Sequence, residues 1–423
     1  CLPSPCQKPS AQRRVISNTS MNHLSPSDFS LAFQQLSSRR GATLKSMAQA
    51  LGVNQAELQK VLAPFSKQGL LTTDGNLLRL NPGYGRVVGI DMGASHLHFA
   101  LSDYSGKILL ESDQKIPPEE GPRKITQRIK EGIRSMVQAG RTTASPSRRG
   151  VRQQAPPLSL NHTQALRAVA LGVPSPVDVK RGEVSFANNL PGWRKIPLGQ
   201  ELESEFRVPV FLENDANMAA IGEHWRGAAR DAQTFVFIAM GTGVGSGIFV
   251  DGRLVRGRSG AAGEVHLMNL EWQRWNEDFG DVGYFETHVS GMGIAYEGRK
   301  ILKSTSSNGV SGLAGERDAM FVFEAMRQGD LRARQLLEKV FTMLGVGVAN
   351  LAAVLDPEMI VFGGGIVLGA PELLVSTIEK VVKRIQEDPP KIRISELKGR
   401  AQIYGAIYSA LRIAAERQLK SNG

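Results

Sequence analysis

Apolar spacing divides the chain into two kinds of sequence. Between Asp28 and Arg40, Phe29, Leu31, Phe33 and Leu36 recur at helical intervals, and Gly41 closes the stretch. Thr43 is placed to cap a short helix over 44–51, with Leu44, Met47, Ala48 and Leu51 on one face. Gly52 turns the chain to Asn54, a second cap, before a helix over 55–67 that Pro64 should kink and Gly69 should stop. Residues 70–80, broken at Asp74 and Gly75, then read as a hairpin. Three helices followed by a hairpin is the order of a winged helix-turn-helix; a small helical bundle gives the same pattern.

Beyond residue 83 strands and helices alternate, and one plan occurs twice. Residues 235–255, FVFIAMGTGVGSGIFVDGRLV, read as strand, glycine loop, strand, Asp251–Gly252 turn and strand. Residues 87–109, VVGIDMGASHLHFALSDYSGKIL, superpose on them, Met92 and Gly93 on Met240 and Gly241, Asp103 on Asp251, Gly106 on Gly252. Glycines 241, 243, 245 and 247 would let backbone N–H groups approach a phosphate, although a tight hairpin reads the same locally. The repetition argues for a duplicated unit and a nucleotide cleft between two related lobes. A helix is expected over 123–139, buried strands over 168–173 and 208–212, and a long helix from about 403 to 420.

Length and charge narrow the class. A chain of 423 residues suggests two or three domains. Its formal net charge of +11 favours a polyanion as partner, though part of that charge falls in polar segments. One such segment is 1–27, expected to be disordered, within which Met21 is a candidate start; the other is an Arg-, Ser- and Pro-rich insertion over 140–157. Both cysteines, Cys1 and Cys6, lie in the tail, so a disulfide framework and a cysteine metal site are not expected in the body. No uninterrupted apolar run reaches the roughly 18–20 residues that span a bilayer, so a cytoplasmic protein without a membrane partner is expected.

The two hairpins, the run LENDAN (212–217), GAAGE (260–264) and VFGGG (361–365), in order over about 86–411, resemble the ROK family (repressor, open reading frame, kinase). The resemblance implies the actin-like, hexokinase-like ATPase fold, with a first lobe over 83–212 and a second over 213–423 whose last helix returns to the first. It makes Asp215 the catalytic base of a kinase, and Asn189, Asn214, Asp215, Glu264 and Glu286 sugar contacts. Asp91, Gly93, Gly241, Thr242, Gly243 and Gly364 correspond to nucleotide contacts, Asp91 holding hydrated Mg²⁺ when ATP is bound.

Several positions depart from the family. Ala94 and Ser95 replace Gly-Thr after the first turn, Leu267 stands where the sugar- and zinc-binding histidine falls, and His266 is displaced by one. The zinc motif becomes EDFGDVGYFE (277–286), with Glu277, Phe279 and Tyr284 at its three cysteine positions, so zinc is not expected. ROK regulators carry a winged helix-turn-helix directly before the first hairpin, which assigns residues 28–82 to DNA binding, with Lys45, Asn54, Gln55, Gln59 and Lys60 as candidate contacts. The favoured expectation is a dimeric DNA-binding repressor of carbohydrate metabolism whose effector is a sugar or sugar phosphate, needing no cofactor. The alternative is an ATP- and Mg²⁺-dependent hexose kinase.

Overall fold

A computed structural model describes residues 32–37, 41–117, 119–142, 165–186, 192–302 and 319–420. The tail 1–27, the insertion beyond residue 142 and the candidate sugar contact Asn189 lie outside the described residues.

The N-terminal unit is a winged helix-turn-helix. After a helical stretch at 32–36, Thr43 and Ser46 form a reciprocal capping box on helix Leu44–Leu51, and Asn54 and Glu57 form another on helix Gln55–Lys67. That helix continues through Pro64, which sits in its last turns and removes only one ladder bond. Strands Leu71–Asp74 and Leu77–Leu80 make the wing, and Ala42–Thr43 adds a third strand beside the second of them. Met47, Leu58, Leu62, Phe65 and Leu70 form its core. Phe33 reaches past them to the C-terminal helix, its ring 5.7 Å from that of Tyr408.

Two five-stranded sheets follow, and both have the same plan. In the first, strands Arg86–Met92, His96–Asp103 and Ile108–Lys115 form an antiparallel meander, extended on the other side by the parallel strands Leu166–Val173 and Val210–Asn214. In the second, Phe235–Met240, Val244–Val250 and Arg253–Val255 form the meander, and Met359–Gly363 and Lys391–Ile394 the parallel extension. Asp251 and Gly252 have φ of 52° and 70°, the left-handed pair a two-residue hairpin turn requires.

One expectation about the glycines is corrected. The second strand begins at Val244, so Gly245 and Gly247 are in the sheet and outside the phosphate turn. A Cβ on Gly247 would lie 2.6 Å from that of Ala220, and one on Gly245 3.1 Å from that of Ala216. These glycines let helix Asp215–Arg226 pack closely on the strand.

The lobes exchange helices. Helix Asp215–Arg226 follows the last strand of the first sheet yet packs on the second, while helix Ala401–Lys420 follows the last strand of the second and packs on the first. They cross with almost no side chain between them: a Cβ on Gly405 would meet the Met218 carbonyl at 1.8 Å, and one on Gly222 the Ala401 carbonyl at 2.0 Å. Helix Leu331–Leu355 is apolar and long enough to cross a bilayer, but here packs against helices Pro371–Ile385 and Gly291–Leu302, burying Leu337, Phe341, Leu344 and Val348.

Candidate functional site

The candidate site gathers where strand Val210–Asn214 runs into helix Asp215–Arg226. Asn214 caps the helix, its Oδ1 accepting from the N–H groups of Ala216 at 3.0 Å and Asn217 at 3.1 Å. Only its amide nitrogen, 3.5 Å from the Ser175 carbonyl, is left to face a ligand. Asp215 accepts from the Ala216 N–H at 2.8 Å. Burial raises its carboxyl from 3.8 to about 7, and the nearby charges of Asp91 and Glu264 add to the rise. Carboxylates from the first sheet, the exchanged helix and a loop of the second lobe therefore converge on one place.

Glu264 accepts from the His266 Nδ1 at 3.0 Å, and this bond holds the imidazole pKa above its ordinary value. Leu267, at the family's histidine position, is exposed instead. The 3₁₀ turn Val265–Leu267 turns His266 toward Glu264, so a one-residue displacement in sequence leaves a histidine at this wall of the site. Glu286, raised by burial, accepts from the Val244 N–H at 2.6 Å. It is thereby bound to the phosphate turn of the second lobe.

The two glycine turns are closed differently. In the first, the Gly93 N–H donates to the His96 carbonyl at 3.0 Å, and a Cβ on Gly93 would lie 2.2 Å from the His96 ring. That ring lies against the turn, with Nε2 3.9 Å from an Asp91 carboxylate oxygen. In the second, Gly241 bonds back to Gly243, while the Gly241 and Thr242 carbonyls accept from Gly291 and Met292 at a helix start. Gly364, at φ 102°, would place a Cβ 2.2 Å from the Met240 carbonyl, so a side chain there is excluded. Gly241, Thr242, Gly243 and Gly364 thus belong to the second turn and its neighbour, and Asp91 and Gly93 to the first.

Sequence reasoning passed over two residues. Glu213, 2% exposed, accepts from Arg256 at 2.7 Å, from the Asn217 side chain at 3.1 Å and from the Asn214 N–H at 3.1 Å, so one buried carboxylate, paired with a partly exposed arginine, orients the motif. A charged residue inside the apolar strand FLEN was its signal. His96 is the other, marked only by its place in the turn.

The three residues at the family's cysteine positions do not fit a zinc ion, since a phenyl ring supplies no ligand. They converge on Arg274: its guanidinium is 2.6 Å from Glu277, and 5.0 Å and 5.6 Å from the ring centres of Phe279 and Tyr284. Among the described residues no group of three or more His, Cys, Asp or Glu is arranged to hold a metal ion. Mg²⁺ would be a matter for Asp91, a partly exposed carboxylate beside the first turn.

In the N-terminal unit Lys45, Asn54, Gln55, Gln59 and Lys60 are all exposed. The Asn54 side-chain Oδ1 is committed to capping, accepting from the Glu57 N–H at 2.8 Å, which leaves only its side-chain N–H groups to face outward. Glu57 reaches back to accept from the Asn54 N–H.

Two duplicated sheets around a carboxylate-lined cleft, preceded by a winged helix-turn-helix, define a hexokinase-like two-lobed protein with an added N-terminal unit. The pattern of the ROK family matches residues 158–413, and the chain belongs to that family. It is 25% identical over 381 residues to the xylose repressor of Caldicellulosiruptor bescii, covering 85% of this chain and 89% of that one. It is 31% identical over 303 residues to the glucokinase of Thermotoga maritima, covering 71% and 88%. Among solved structures, a ROK family transcriptional regulator, homologue of the E. coli MLC protein, aligns with a TM-score of 0.73 at 19% identity, over 93% of this chain and 99% of that one. A ROK family glucokinase from Streptomyces griseus, solved with glucose and AMPPNP, aligns with a TM-score of 0.58 at 28% identity, over 77% and 99%.

Proposed function

We propose that the chain is a DNA-binding transcriptional repressor of carbohydrate metabolism whose ROK body senses a sugar or sugar phosphate. Residues 28–82 would bind an operator, 83–212 and 213–423 would be the sensing lobes, and a cytoplasmic homodimer would present two recognition helices to two half-sites. The carrying observation is the path of helix Asp215–Arg226. Its first residue is the candidate sugar carboxylate; near its other end, ten residues and about 15 Å on, Trp225 Nε1 donates to the Ser37 carbonyl at 3.2 Å and hydroxyl at 3.1 Å. One rigid element therefore touches both the sugar side and the N-terminal unit.

A sugar drawing the lobes onto Asn214, Asp215 and Glu264 would move that helix, and through Ser37 the recognition helices. It can act only through a difference in affinity between the two arrangements. The wider coverage of this chain by the repressor than by the glucokinase supports the same reading. The test is binding to DNA from upstream of the chain's own gene against scrambled DNA of equal length, at two salt concentrations, followed by a screen of sugars for release. Preference that survives added salt is expected, and Trp225→Phe should keep DNA binding while weakening release by sugar. Equal, salt-sensitive binding to both DNAs would reject the proposal.

A sugar kinase is the second reading, favoured by the Asp215 carboxyl near 7, suited to a general base that takes the proton of a sugar hydroxyl. In it Asp91 would hold the Mg²⁺ of ATP, and Glu264 and Glu286 would orient the sugar. ATP-dependent phosphorylation of a hexose panel, lost in Asp215→Asn, would establish it.

A further inference from the structure

A cavity of about 720 Å³ lies away from the cleft, where three parts of the chain meet. The wing supplies Thr72, Asp74, Arg79 and Leu80; the outer hairpin of the first sheet supplies residues 105 and 107–111; Arg226, Arg400 and Tyr404 close it from the exchanged helices and the turn before the last one. Its size is that of a small-molecule site, which typically runs from about 300 to 1,000 Å³.

Its charge is unbalanced. Four cations, Arg79, Lys107, Arg226 and Arg400, face two carboxylates, Asp74 and Glu111. Arg400 is paired with Glu111 at 2.6 Å, and Arg79 reaches Asp74 at 3.5 Å. Arg226 donates to the Gly106 carbonyl at 2.8 Å and the Ser105 carbonyl at 3.3 Å. Lys107 has no ion pair among the described residues. Arg79 and Arg400 keep 38% and 40% of their side chains exposed, although their Nε–H groups are buried. Leu80, Pro82 and Ile108 supply apolar wall beside these donors.

We propose that this junction is a second ligand site, built for a small organic anion. Its phosphate or carboxylate group would be held by Lys107 with Arg79 and Arg400, and its apolar part would lie on Leu80, Pro82 and Ile108. Charge-assisted bonds from guanidinium and ammonium groups suit such an anion, and an apolar wall distinguishes it from inorganic phosphate. The ligand would tie the wing to the body, because its contacts come from both. This site stands whether the cleft serves a regulator or a kinase.

The test is isothermal titration of the full-length chain with phenyl phosphate, with phenol and inorganic phosphate as the neutral and the apolar-free counterparts. Phenyl phosphate should bind at least about tenfold more tightly than either, and should raise the melting temperature by mass action. Lys107→Glu and Arg79→Glu should each weaken it about tenfold or more. Lys107 is exposed, so its variant should fold; should Lys107→Glu fail to fold, Lys107→Gln removes the charge alone. Absence of binding at millimolar phenyl phosphate, equal binding of phenol, or affinity unchanged in the variants, as cleft binding would give, overturns the proposal.

Discussion

The two glycine turns share one strand plan and differ in what closes them. The first, at Gly93, is covered by a half-exposed histidine that reaches Asp91 only at 3.9 Å. The second, at Gly241 to Gly243, is fastened by a carboxylate, Glu286, on the Val244 N–H at 2.6 Å, and by two backbone bonds from a helix start. One turn is covered by a half-exposed side chain; the other is tied by hydrogen bonds to the helix starts beside it. The backbone hairpin is thus the same in both halves while the interactions that close it differ.

The largest effect should come from breaking what holds both turns in one molecule. Gly405→Leu drives a side chain into the Met218 carbonyl at the helix crossing, and should cost about 3 kcal/mol or more, read by urea denaturation of the whole chain. Loss confined to one lobe would show that the lobes fold independently of the exchange. Glu286→Ala should cost about 1–2 kcal/mol by orphaning the Val244 N–H, whereas His96→Ala should cost less than about 0.5 kcal/mol. Equal costs would remove the contrast between the turns.

Asp215 lies between them and adds a pH dependence. Its folded pKa, near 7, is above its ordinary 3.8, so the native state holds a proton that the unfolded chain releases first. The carboxyl thus contributes stability below about pH 4, which is lost as pH rises through 7. Asp215→Asn should match the parent at pH 4 and be the more stable protein at pH 8, as measured by denaturation at both. A variant with the parent's pH profile would show that burial, with Asp91 and Glu264 nearby, does not raise this carboxyl. The smallest effect is expected from Arg274→Ala in the loop beside the second turn, where Glu277, Phe279 and Tyr284 lose their common contact. Limited proteolysis should cut that loop faster, with little change in melting temperature.

Periodicity, caps and turn residues were legible from the chain alone. Thr43 and Asn54 cap the helices they were expected to cap, the duplicated meander has the expected turns at Gly93, Gly241 and Gly252, and the last helix begins at Ala401, two residues before the expected start. Each depends on neighbours within a few residues, which a linear pattern records. The convergence of Asp91, Asp215 and Glu264 was legible only through the resemblance of ordered motifs, because these residues are far apart in sequence.

Tertiary packing alone decided the rest. Gly245 and Gly247 looked like phosphate glycines, but a helix presses against them; His266 looked misplaced, but a single turn brings it to Glu264. The Glu213–Arg256 pair, the Arg274 cluster and the junction cavity join segments with no shared local pattern. Short-range sterics and hydrogen bonding set the elements, and so the sequence determined them by itself. What fills the space between elements depends on which side chains the folded chain brings together, and only the tertiary structure decides that.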